Sequence, residues 1–149
     1  MSKLENLSTS NTALGTETLR YVSVFHIKEF SRRMVGNGKG VFEDLLNMNS
    51  LSTKVLDRNF TYKFDEISIK TRVSVHFHMD TVTFISKGNT NIDCVAILEA
   101  SAQFFTGCIS LNVLVAGFAT FGHFFVMEGQ KLFCGKPYLT AFDIASSMQ

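Results

Sequence analysis

The sequence predicts an α+β domain, an antiparallel β-sheet wrapped around one long buried central helix. Three observations carry this. Apolar side chains alternate with period two over residues 60–85, the mark of half-buried strands. Residues 93–109 are apolar on nearly every face of a helix, so other elements must cover that helix. Residues 113–127 are apolar on both strand phases, which suits a central strand covered on both sides.

The elements follow in order. Residues 1–18 are rich in Ser, Thr and Asn and read as a loose N-terminal tail, leaving 19–149 as a single domain. Residues 21–27 alternate briefly, as a short strand or a helix start. Gly36-Asn-Gly-Lys-Gly40 is a flexible break, and it lacks the GxxxxGK[ST] pattern of a phosphate loop. Val41, Leu45, Leu46, Leu51 and Val55 suit a short amphipathic helix. In the strand region, Phe60, Tyr62 and Phe64 point one way. Ile67, Ile69, Val73, Val75, Phe77 and Met79 take the other phase, and Val82 and Phe84 return to the first. Each change of phase predicts a turn or bulge, near Asp65-Glu66 and near Asp80-Thr81. Residues 67–79 would span about 43 Å as one straight strand, so bending is expected. Residues 87–92 carry turn chemistry, with Asn91 or Asp93 able to cap the helix that follows. Tyr138, Thr140, Phe142 and Ile144 alternate as a final strand.

Composition excludes several classes. The chain has 149 residues, enough for one domain with its own core. Fourteen Lys+Arg balance 13 Asp+Glu, so bulk attraction to nucleic acid is not expected. Cys94, Cys108 and Cys134 are odd in number and widely spaced, against a disulfide framework or a paired-cysteine zinc site. They read as buried thiols of a cytoplasmic protein. No charge falls between Glu99 and Glu128, long enough for a membrane span. Gln103, Asn112, the glycines and the absence of a flanking Lys/Arg cluster favour a core segment instead. The first residues hold no apolar core of a signal peptide.

Ile97-Leu-Glu-Ala-Ser-Ala-Gln103 resembles the IEALAQ-type segment on the central helix of hot-dog-fold proteins, the β-hydroxyacyl-ACP dehydratases and related thioester enzymes. The resemblance covers roughly residues 60–145. It implies a homodimer whose sheets join, with sites for acyl-CoA or acyl-ACP at the interface. No further cofactor and no metal is expected. The chain departs from the dehydratases where they carry His-Phe-Pro-Gly. Fourteen residues before Glu99 stands Ile85, and neither His nor Pro occurs nearby. Dehydratase chemistry, which needs a His and an acid together, is therefore not expected.

Candidate catalytic residues are Glu99, Gln103 and Asp93. Glu99 is the only charge on the helix after Asp93, and a desolvated carboxylate can serve as a general base on water. Gln103 lies one turn on, placed to orient that water or to bridge a polar neighbour. Asp93 is a helix cap or, beside the first amides of the helix, part of a thioester-polarising end. His76 and His78 share a strand face, but no third metal ligand accompanies them. His123 reads as a core histidine. Arg32, Arg33 and Lys39 are solvated cations or contacts for coenzyme A phosphates. Three functions stay open: an acyl-thioesterase using Glu99, a catalytically degenerate acyl-CoA-binding regulatory protein, and a partner-binding protein without a small ligand.

Overall fold

The computed structural model describes residues 9–12, 15–127, 130–133 and 139–143, with side chains from 19 to 122. Its strands are β1 (Thr9–Thr12), β2 (Gly15–Ile27), β3 (Phe60–Phe64), β4 (Ile67–Thr71), β5 (Val73–His78), β6 (Thr81–Ser86), β7 (Val115–Met127), β8 (Gln130–Phe133) and β9 (Leu139–Asp143). The helices are α1 (Phe30–Leu56) and α2 (Asn91–Ser110).

The class is α+β. The main sheet runs β5-β6-β2-β7-β8, with β1 also on β2 and β9 also on β7. Every described ladder is antiparallel, and the sheet is not closed. β1 and the start of β2 form a hairpin within the stretch expected to be a tail. β3 and β4 form a two-stranded sheet of their own. Set that hairpin aside and the order is β2–α1–β5–β6–α2–β7. Each helix then links two strands with a third lying between them, the split βαβ arrangement.

Two helices, not one, share the sheet face. Met48 and Val55 of α1 join Phe25, Phe84, Ile97 and Phe104 in a single core cluster. Three aromatic rings form its centre. Phe104 lies 5.1 Å from Phe25 and 5.2 Å from Phe84, the latter edge-on at 71°. Such tilted pairs add to the area that they bury. Phe25, Phe60, Phe84 and Phe104 are buried in this core, whereas Phe42, Phe64 and Phe77 are exposed. α2 buries one side only: Ala96, Ile97, Ala100, Phe104 and Cys108 face the sheet, while Val95, Leu98 and Ile109 are exposed. This corrects the expectation of a helix covered all round. Among the described residues α2 alone is long and apolar enough to cross a membrane, a test that a core helix also passes.

Local chemistry sets the ends. α2 begins with a capping box: Thr90 accepts from the Asp93 amide, and the Asp93 carboxylate accepts from the Thr90 amide at 3.1 Å. It ends in a Schellman motif. Val113 N–H donates to Cys108 O at 2.8 Å and Asn112 N–H to Ile109 O at 3.1 Å, with Asn112 left-handed at φ 56°. The expected break at 36–40 is a kink inside α1. Asn37 leaves helical geometry (φ −151°, ψ 67°), and its Oδ1 accepts from the Gly40 amide, recapping the helix that follows.

Candidate functional site

Glu99 points from α2 toward the β3–β4 hairpin and is 33% exposed. Its Oε1 accepts from Arg58 Nη2 and its Oε2 from the Tyr62 hydroxyl, both at 2.6 Å. Arg58 also lies over the Phe60 ring, 4.9 Å from its centroid. Burial raises the Tyr62 phenol well above its ordinary value, and the hydrogen bond to Glu99 raises it further. Both oxygens of Glu99 therefore already accept from a protein donor. Gln103 is exposed one turn later, and no hydrogen bond joins it to Glu99.

Asp93 is buried. Its Oδ1 accepts from the Thr71 hydroxyl at 2.8 Å and its Oδ2 from the Thr90 hydroxyl at 2.8 Å, besides the Thr90 amide. It caps α2 and holds the end of β4. Glu99 and Asp93 make no shared contact, so the structure does not gather the three candidate residues into one site.

Asp93 instead borders a cavity of about 350 Å³. Ile69, Lys70 and Thr71 of β4 form one wall, and the loop and first turn at 87–93 form the other. Arg20 of β2 completes it. Gly88 is required here. A Cβ at that position would lie 2.6 Å from Asp93 Oδ2, so only glycine lets the loop pack on the carboxylate. Arg20, Lys70 and Lys87 are the basic residues of its lining and Asp93 the acidic one, and no ion pair joins the three to a described acid. Burial lowers the pKa of the Arg20 guanidinium, and the charge of Asp93 opposes that effect. The peptide dipoles at the start of α2 add positive potential. A second cavity, of about 20 Å³, lies between α2 and β7. Glu99 lines neither.

The remaining candidates are dispersed. Arg32 pairs with Glu29, and Arg33 with Asp44 at 2.6 Å, so both are engaged elsewhere. His78 is exposed and His76 half-buried on the face of β5 opposite Val75. No group of three metal-ligating side chains occurs among the described residues. Cys94 and Cys108 are free thiols, and burial pushes the Cys108 thiol up to about 12. The His123 side chain and Cys134 lie outside the described residues.

Sequence reasoning missed Arg20, Lys70 and Lys87 as a group. Lys87-Gly-Asn-Thr before a helix start was the one local signal. The other two cations come from strands far away in the chain. No known family model matches this chain. No curated protein matches it either.

Proposed function

We propose that the chain is a binding module for a small phosphate-bearing ligand seated between β4 and the start of α2. The observation that carries this reading is the excess of basic residues, Arg20, Lys70 and Lys87 against the single carboxylate of Asp93, in the lining of one cavity at a helix N-terminus. Phosphate oxygens meet both guanidinium and ammonium donors and are stabilised by helix-terminal dipoles. Ile69 and Ile92 offer apolar contact beside them. A coenzyme A thioester, the ligand implied by the resemblance, has this chemistry in its phosphates.

We favour binding over hydrolysis because both Glu99 oxygens are engaged and neither described cavity reaches them. We also favour the split βαβ arrangement over a hot-dog one, because α1 and α2 share one core against the same sheet.

Calorimetric titration with coenzyme A and with inorganic pyrophosphate tests the reading. Arg20→Ala is expected to weaken binding about tenfold or more, the usual worth of a hydrogen bond to a charged group. Acyl-CoA incubated with the wild type is expected to release thiol no faster than in buffer. Equal affinity in wild type and Arg20→Ala, or no binding of either compound, would sink the assignment.

We keep the homodimer as a proposal. Exposed Val95, Leu98, Ile109 and Leu114 on and beside α2 support it, since scattered burial leaves these side chains in water. Sedimentation at micromolar concentration is expected to give twice the 16.6 kDa chain mass. A stable monomer would overturn it.

A further inference from the structure

The outer side of α2 carries an ordered apolar stripe. Val95, Leu98, Ala102, Phe105 and Ile109 succeed one another at steps of three, four, three and four. That spacing keeps side chains in line along a helix and is the seam by which one helix packs on another. Val95 and Leu98 are each 45% exposed and Ile109 60%. Ala102 is exposed and Phe105 half-buried. No charge interrupts the stripe. The two acids of α2 are engaged elsewhere, Asp93 with Thr71 and Thr90, Glu99 with Arg58 and Tyr62. Exposed Gln103 and Thr106 stand beside it as a polar rim.

The stripe also has a centre. Ala102, its smallest side chain, lies seven residues after Val95 and seven before Ile109, with Leu98 and Phe105 between. Turned end for end, the stripe keeps its order of two large side chains, a small one and two large. It therefore matches a second copy of itself, as an isologous interface requires. An alanine at the crossing lets two helix axes approach to about 8–10 Å. Antiparallel pairing opposes the helix dipoles. It also sets the half of α2 that holds Glu99 against residues 100–110 of the other copy, which carry no charge. We infer that α2 docks on α2 of a second copy, antiparallel, about a two-fold axis at Ala102. Val95 of each copy then meets Ile109 of the other, and Leu98 meets Phe105. This rests on the homodimer reading and names its interface: helices join the copies, not the sheets that the resemblance implies.

Sedimentation of the full chain and its single-residue variants tests this, with circular dichroism to check that each variant is folded. Ala102→Arg keeps helix propensity and sets two unpaired charges on the axis. It is expected to raise the dimer Kd about a hundredfold or more. Leu46→Arg, at an exposed apolar position of α1, is expected to leave the dimer intact. Val95→Glu and Ile109→Lys each add a charge that suits its own end of the helix. Each alone is expected to be monomeric at concentrations where the wild type is dimeric. Mixed in equal amounts, the two are expected to dimerise. In that mixed dimer one Glu–Lys contact replaces one apolar contact, and the other contact stays Val95 on Ile109. A dimer that survives Ala102→Arg would overturn this interface and leave the homodimer reading standing. A mixture that stays monomeric would overturn the antiparallel pairing. Equal loss of the dimer in Leu46→Arg would overturn the assignment to α2. A monomeric wild type would remove the homodimer reading and this interface with it.

Discussion

Replacing Phe104 by Ala is expected to destabilise the domain by about 3–5 kcal/mol, the usual cost of emptying an aromatic core position. Phe104 is 1% exposed and touches Phe25 of β2 and Phe84 of β6, so it joins α2 to the centre of the sheet. Neither ring can fill the gap without leaving its own partners. The loss should appear as a lower urea midpoint with an unchanged slope. A loss under about 1 kcal/mol would mean that the rings do not pack as described.

The second large effect is at Asp93. Asp93→Ala is expected to cost about 2–4 kcal/mol, combining a lost helix cap with an orphaned buried hydroxyl on Thr71. Asp93→Asn keeps one acceptor oxygen and should cost about half as much. Urea unfolding of the three proteins compares them directly. A residue serving only a ligand would leave all three midpoints together.

Both residues bear on what could be read in advance. The phase changes in the strand region were visible because a period of two tolerates no slip. The structure places turns there, with Asp65 and Met79 in left-handed conformations at φ 52° and 51°. The long odd phase from Ile67 breaks at Arg72 into β4 and β5, strands of different sheets. Alternation cannot report that break, because both strands keep the phase. α2 was legible from its apolar run, but its cap only in part: Asp93 was read as a cap and is the N3 partner of a capping box whose N-cap is Thr90, and Asn91 already lies inside the helix. The exposed outer side of α2 was not legible, since apolar character alone does not say what covers a face. α1 was read as starting at 41, because glycines at 36, 38 and 40 break helical pattern. Asn37 supplies a side-chain cap that lets the helix resume. Glu99 stood out as a lone charge, but its partners lie 41 and 37 residues away, and no spacing rule reaches that far.

The pairing of β2 with β7 has a consequence at Gly117. A Cβ there would lie 2.2 Å from Val24 O and 2.7 Å from the Phe25 ring. Phe25 and Gly117 are register partners in the longest ladder of the sheet. A slip of one residue would turn every side chain of β7 to the opposite face of the sheet. A slip of two would keep every face, so the pattern permits it. It would, however, bring Val115 or Ala119 opposite Phe25, each with a Cβ where only hydrogen fits. One missing methyl group therefore acts as an index mark, selecting a single alignment among those that hydrophobicity treats as equal.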